Sequence, residues 1–287
     1  YANNEKLNVG IIGAGGKGRR DAAGVASENI VALCDVDDRR AAGTYKKYPG
    51  AKRYSDYRVM MDREKLDAVV ISTPDHSHAP AASIAIQKGL HVYCQKPLTH
   101  TVEEARFLKT LATKHKVSTS MGNQGTGMDG FRQAVEVVRS GAIGDVTELY
   151  VWTNRPVWKQ GVPRDNKIEA IPAGMRWDLF LGPAPYRPYQ SKYAPFNWRG
   201  FWDFGTGALG DMGCHILNMP FMALELGSPS WVEAESEGMT DDSGPVSSSV
   251  VYQFPQRGKK PPVRFTWSDG GKKPSVDLVP GAKKLAN

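Results

Sequence analysis

The chain holds 287 residues, 40% of them apolar and 23% charged, with a formal net charge of +7; this composition is globular and leaves room for about two domains. No run of about eighteen apolar residues occurs, which excludes a helix that spans a membrane. The positive surplus gathers after Pro255, where Arg257, Lys259, Lys260, Arg264, Lys272, Lys273, Lys283 and Lys284 stand against Asp269 and Asp277; the stretch contains Gly and Pro, lacks an amphipathic helix and offers only Phe265 and Trp267 for stacking, so it reads as solvated surface and no nucleic-acid partner is expected.

Lys6 to Ile12 reads as a buried strand, Lys17 to Ala26 as a helix, and Ile30 to Asp35 as a second strand ending in a carboxylate. The turn between the first two is Gly13-Ala14-Gly15-Gly16-Lys17-Gly18. Gly13 permits the tight strand-to-helix turn, Gly15 lets the backbone approach a pyrophosphate, and Gly18 lets the helix pack closely on its strand. The helix N-terminus offers N–H groups and a partial positive charge to phosphates. Asp35 can accept hydrogen bonds from both ribose hydroxyls and repels a 2′-phosphate, so the expected cofactor is NAD, with NADP the lesser alternative. Arg39 and Arg40 have two readings, an inward turn toward a 2′-phosphate or a solvated face opening a helix after Asp37-Asp38; the second is preferred.

A helix is expected from Asp38 to Tyr48, a buried strand from Asp67 to Ser72, a helix from Ala79 to Lys88 stopped by Gly89, and a strand from His91 to Cys94. Thr101 to Lys116 reads as a helix opened by a Thr101/Glu104 capping box, and Val117 to Met121 as another strand. This alternation implies a parallel sheet covered on both faces, with ligands off the carboxyl ends of its strands. The loops there are Thr73-Pro74-Asp75-His76-Ser77-His78, Gln95-Lys96-Pro97 and Gly122-Asn123-Gln124-Gly125. Cys34, Cys94 and Cys214 show neither C-x-x-C nor zinc-ligand spacing and read as small buried hydrophobes, so no metal is expected.

After Gly125 the pattern changes. Gly130 to Ser140 predicts a helix and Val146 to Trp152 a strand; Asn154 to Phe204 is rich in Pro, Trp and Tyr and keeps no helical period. A helix from Leu209 to Leu226 and strands at Trp231–Glu235, Ser248–Phe254 and Val263–Trp267 complete the reading. The expected fold class is α/β, with a doubly wound parallel Rossmann sheet in residues 1–124 and an α+β domain in residues 125–287 whose large open sheet is mostly antiparallel. The second domain reads as incomplete at its C-terminus. The start at Tyr1 reads as the loss of a leading segment.

Four motifs together, the glycine turn, Thr73-Pro74-Asp75-His76-Ser77-His78, Gln95-Lys96-Pro97 and Gly210-Asp211-Met212-Gly213-Cys214-His215, resemble the glucose-fructose oxidoreductase, inositol dehydrogenase and rhizopine-catabolism family. The resemblance covers essentially the whole chain. Where the family usually shows Glu-Lys-Pro this chain has Gln95-Lys96-Pro97, so the carboxylate beside the lysine is absent; a glutamine can still hydrogen-bond a ribose or nicotinamide. The Cys-Gln-Lys-Pro-Leu form, with Gly-Asn-Gln-Gly, looks most like exported bacterial sugar oxidoreductases. The resemblance places the Thr73–Pro74 loop, with His76 and His78, and also Gln124, beside the cofactor, and implies a homodimer or homotetramer.

The residue chemistry supports these roles. Lys96 ends a strand of a nucleotide fold, fixed by Pro97, where an ammonium can reach the oxygen of a substrate lying on the nicotinamide. Asp211 and His215 are four apart on a predicted helix and share a side, so a carboxylate can orient an imidazole as base. Trp152, Trp158, Trp177, Trp198 and Trp202, interleaved with Arg155, Arg176 and Arg199, offer stacking faces and donors for a sugar ring, about half of them serving as core; Trp198-Arg199 is the pair expected to reach cofactor or substrate, with Arg155 a further substrate contact. The expected activity is NAD-dependent oxidation or reduction of a secondary hydroxyl or carbonyl of a sugar, glycoside or polyol. A glycosidase that oxidises C3 transiently and a non-catalytic dinucleotide sensor are the alternatives. The expected location is periplasmic or otherwise exported, with the cytoplasm as alternative.

Overall fold

The computed structural model describes residues 5–278 and 281–285. Tyr1 and Asn287, on which the expectations about the chain's ends rest, lie outside them. The first stretch runs β1 (Asn8–Ile12), α1 (Gly16–Gly24), β2 (Asn29–Cys34), α2 (Asp38–Lys47), β3 (Lys52–Tyr54), α3 (Tyr57–Arg63), β4 (Ala68–Ile71), α4 (His78–Gln87), β5 (His91–Cys94), α5 (Val102–His115) and β6 (Thr119–Met121). There follow α6 (Asp129–Arg139), β7 (Glu148–Trp152), α7 (Trp177–Leu181), α8 (Gly207–Ile216), α9 (Asn218–Leu224), β8 (Trp231–Glu237), β9 (Ser247–Phe254) and β10 (Val263–Ser268).

The chain divides into two compact units. In the first, six parallel strands lie in the order β3-β2-β1-β4-β5-β6. Helices cover both faces: Met60, Ala82, Ile86 and Leu108 pack on one, and Ala22, Ala41 and Tyr45 pack against Ile11 and Leu33 on the other. This is the doubly wound sheet the alternating apolar runs predict, and the strand order reverses at β1, opening the crevice where such sheets bind ligands. The caps are local: Thr101 and Glu104 form the expected capping box, and Asp37 and Asp56 cap α2 and α3 by accepting from Arg39 N and Arg58 N. β3 and α3 went unread in the sequence because they are short, with Lys52 and Arg53 on an exposed edge strand.

The compact units are not continuous in sequence. The first unit ends at Gly122, and it takes back residues 166–194. That returning segment is tied down by main-chain bonds, Asp38 N to Gly174 O (3.0 Å) and Arg176 N to Val36 O (2.8 Å). Its aromatic residues make their own core, in which Trp177 stacks on Phe180 at 4.8 Å and meets Tyr189 edge-on.

The second unit holds a four-stranded sheet in the order β7-β10-β9-β8. β9 pairs antiparallel with both neighbours, as expected, but β10 and β7 pair parallel, so the sheet is mixed. Phe254, Val263, Phe265 and Trp267 bury against Leu209, Met212, Leu217 and Phe221 of the helical layer. The single helix expected from Leu209 to Leu226 is two. Pro220 has no N–H for the carbonyl of Ile216, and α8 stops at that residue. In the irregular stretch 154–204, helical structure is confined to the five residues of α7 and a 3-10 turn at Asn197–Gly200.

Candidate active site

In the first unit the glycine turn is shaped by close backbone approach. Gly13 has φ +81°, and a Cβ on it would stand 2.7 Å from the Ser72 carbonyl oxygen; one on Gly18 would lie 1.8 Å from the Gly13 carbonyl oxygen. Any side chain at Gly18 would push α1 off its strand. The turn hangs from β2 through Gly13 N and Ala14 N, which donate to Cys34 O at 2.8 and 3.1 Å.

Asp35 sits at the tip of β2 beside this turn. Its Oδ2 accepts from Gly15 N at 2.7 Å and its Oδ1 from Asp37 N at 2.9 Å. Burial raises its pKa above the usual carboxylate value, and the two main-chain donors work in the opposite sense. Each oxygen keeps a lone pair for a further donor, which is what a ribose diol requires. Arg39 is held by Asp37 in a two-pronged pair, Nε–Oδ1 2.9 Å and Nη2–Oδ2 2.8 Å. Arg40 departs from the solvated reading in one respect: its guanidinium lies across Gly16, with Nη2 2.7 Å from where a Cβ would stand.

At the tip of β4, Thr73 Oγ1 is buried without a hydrogen-bond partner, and Pro74 leads into a 3-10 turn. His76 and His78 are both buried. His76 Nε2 contacts Phe180 O at 2.8 Å, so this ring supports the returning segment. His78 places Nδ1 2.8 Å from Pro97 O and Nε2 2.9 Å from Thr73 O, bridging the two loops expected to flank a nicotinamide. A neutral ring donates to one of these carbonyls and an imidazolium to both. Lys96 is half-buried directly after β5, and its peptide bond to Pro97 is cis. Gln95 is buried, with Nε2 donating to Asp21 Oδ2 at 3.0 Å.

In the second unit, α8 carries Asp211 and His215 on one face, one helical turn apart. The sequence reading did not foresee the partner of Asp211: Arg199 Nε lies 3.0 Å from its Oδ1, with both side chains largely buried. The Arg199 guanidinium also stands 4.3 Å from the Trp198 ring centroid and 5.9 Å from that of Trp158. Gly205 makes this possible, since a Cβ there would lie 2.5 Å from Arg199 Cα. Gln124 opens an exposed 3-10 turn. Its neighbour Asn123 donates from Nδ2 to Cys214 O at 2.7 Å, bracing α8 one residue before His215.

Two members of the aromatic stretch leave the substrate-facing set. Trp177 is core of the first unit, with Nε1 donating to Arg187 O at 2.8 Å, and Arg176 pairs with Asp38. Arg155 bonds its own neighbour through Nη1 and Asn154 Oδ1 at 2.7 Å. Asp21 and Asn123 were missed; Asp21 stands in the sequence among Lys17, Arg19 and Arg20 like any solvated helix charge. Among the described residues no three His, Cys, Asp or Glu side chains gather as a metal site, and no helix is long and apolar enough to cross a membrane.

A turn whose glycines admit no Cβ, an anchored acceptor at the tip of β2 and an orphaned hydroxyl at the tip of β4 define a dinucleotide-binding α/β protein, and these residues fit NAD. The comparisons agree. Residues 7–123 match the model of an oxidoreductase family described as an NAD-binding Rossmann fold, and residues 132–258 match that family's C-terminal alpha/beta domain. The chain belongs to this family, the glucose-fructose oxidoreductase, inositol dehydrogenase and MocA oxidoreductases. It is 27% identical over 154 residues to the rhizopine catabolism protein MocA of Rhizobium meliloti, covering 53% of this chain and 49% of that protein. To the inositol 2-dehydrogenase of Salmonella typhimurium it is 31% identical over 144 residues, 48% of this chain and 43% of the relative. The chain thus spans half or less of the curated relatives it matches. Among solved structures it is similar in fold to the WlbA dehydrogenase of Bordetella pertussis in complex with NADH and UDP-GlcNAcA, with TM-score 0.69, 17% identity and coverage of 91% of this chain and 70% of that one.

Proposed function

We propose that this chain works in an NAD-dependent dehydrogenase that oxidises or reduces a secondary hydroxyl or carbonyl of a sugar, glycoside or polyol. The observation that carries the reading is Asp35, fixed by Gly15 N and Asp37 N beside a glycine turn whose close backbone approaches exclude any Cβ. Gly13, Gly15 and Gly18 would set the tight turn that brings the N-terminus of α1 to the pyrophosphate, Asp35 would hold the ribose, and Thr73 would supply a hydroxyl. When bound, NAD supplies the acceptor for the hydrogen that leaves the substrate carbon with its electron pair.

The chain's own residues manage the rest. Lys96 follows β5 and offers an ammonium to the substrate oxygen, lowering the cost of charge developing there. His215 offers an imidazole suited to accept the carbinol proton near neutral pH. Asp211, charge-paired with Arg199, fixes the polar character of the same face of α8, and Trp198, ordered by the Arg199 guanidinium, offers a flat apolar surface to a sugar ring.

The Cys94-Gln95-Lys96-Pro97-Leu98 and Gly122-Asn123-Gln124-Gly125 forms support membership of an exported bacterial subgroup and a periplasmic location. The β8 strand, exposed along all seven residues, supports a homo-oligomer assembled through the second unit's sheet.

Denaturing the purified protein and identifying released nucleotide by mass spectrometry tests the cofactor. Incubation with NAD and a panel of polyols and sugars, followed at the NADH absorbance band, tests the reaction. Net NADH is expected; failure to bind NAD would overturn the reading. Aglycone release from a nitrophenyl glycoside without net NADH would replace it with a closed redox cycle.

A further inference from the structure

Asp21 lies on the inward face of α1, and its side chain is only 7% exposed. Its Oδ2 accepts from Ser72 Oγ at 2.8 Å and from Gln95 Nε2 at 3.0 Å, while Oδ1 takes the Lys17 ammonium. Ser72 immediately follows β4 and precedes Thr73; Gln95 immediately follows β5 and precedes Lys96. Gly122, after β6, lies against the face of the Gln95 amide, where a Cβ would stand 2.7–2.8 Å from Cδ, Oε1 and Nε2 of the glutamine. One buried carboxylate therefore gathers the tips of adjacent strands.

The chemistry fixes more than position. An ionised carboxylate only accepts, so the amide must turn Nε2 toward Asp21, which leaves Oε1 as the acceptor on the opposite side. A buried carboxylate costs several kcal/mol unless donors surround it, and Asp21 has three of them. The arrangement also explains the missing glutamate beside Lys96: a carboxylate at position 95 would stand about 3 Å from that of Asp21, where two like charges resist ionising together.

We propose that Asp21 is a positioning residue for the dehydrogenase reaction, holding the Gln95 amide in one orientation and, through Ser72 and Gln95, setting the main chain that presents Thr73 and Lys96. This rests on the function proposed above. Asp21→Asn, Gln95→Glu and the double variant form the test, read as the NAD dissociation constant from tryptophan fluorescence and as kcat and KM across pH. Each single change is expected to weaken NAD binding and kcat by about tenfold, the effect of ~1.4 kcal/mol, and Gln95→Glu to move the acid limb of the kcat profile upward. The double variant, which restores the hydrogen bond with donor and acceptor exchanged, is expected to recover to within about threefold of the wild type. Gln95→Met, which removes the donor and keeps the volume, takes the place of Asp21→Asn should that protein not fold; it is expected to lower kcat by a similar factor. Singles that multiply in the double variant, or that lower only the melting temperature and leave kcat and NAD affinity unchanged, would overturn the proposal. Wild-type protein that binds no NAD would instead remove the function on which it rests.

Discussion

Arg176 Nη1 lies 2.9 Å from Asp38 Oδ2, and around that ion pair the main chain of Gly174 and Arg176 bonds Asp38 and Val36. With His76 Nε2 on Phe180 O, the returning segment is fastened to the loops after β2 and β4, on either side of the glycine turn of β1. The ion pair is about half exposed and contributes little; Arg176→Ala is expected to cost under about 1 kcal/mol. Trp177 is buried and stacked, so Trp177→Ala is expected to cost about 3–5 kcal/mol and to speed NAD release. Urea unfolding and stopped-flow displacement of NAD measure the two effects, and equal stabilities for both variants would refute the ranking.

Asp35 is held partly protonatable by burial. Its folded pKa lies above the unfolded one, so acidification through that window favours the folded nucleotide-free protein while removing the anion that accepts from a ribose. NAD affinity is therefore expected to fall on acidification at a pH above the ordinary carboxylate value of about 3.9, with no parallel loss of stability from this group. Asp35→Asn should flatten that dependence in a calorimetric titration, and an unchanged slope would contradict the assignment.

Lys96→Met keeps length and apolar stem but loses the ammonium. Loss of a positioned proton-exchanging group lowers kcat by about 10²–10⁴, and NAD binding is expected to change by less than about threefold. Comparable losses in both would instead mark Lys96 as a cofactor anchor.

Arg199→Ala takes the paired guanidinium from the Asp211 carboxylate, which is 9% exposed. Removing one partner of a buried pair costs about 3–5 kcal/mol, somewhat less here because Arg199 keeps 14% exposure. Arg199→Ala combined with Asp211→Ala is expected to regain part of that stability. Strict additivity in thermal unfolding would show that the pair is not coupled.

The first unit was legible because its strands are continuous apolar runs and its punctuation is chemical: Gly13, Gly18, the Thr101 cap, Gly89. Of the candidate site, the positions of Asp35 and Lys96 just beyond strand ends were legible, because the strands before them are apolar runs. The site was not legible where a role comes from long-range placement. Nothing local separates Asp21 from its basic neighbours, and nothing in the spacing of Arg199 and Asp211 announces their pairing. The return of residues 166–194 depends on main-chain bonds to Val36 and Asp38, and main-chain bonds leave no trace in side-chain pattern. The parallel pairing of β7 with β10 is hidden for the same reason, since both alternate as antiparallel strands do.

That return sets an order of events during synthesis. A ribosome delivers α6 and β7 before it delivers Trp177, so the nucleotide-binding half emerges with its last piece still to come. It cannot finish folding as an independent N-terminal piece in the usual vectorial way. Until residues 166–194 arrive, Val36 and Asp38, after β2, lack the main-chain partners that Arg176 and Gly174 give them.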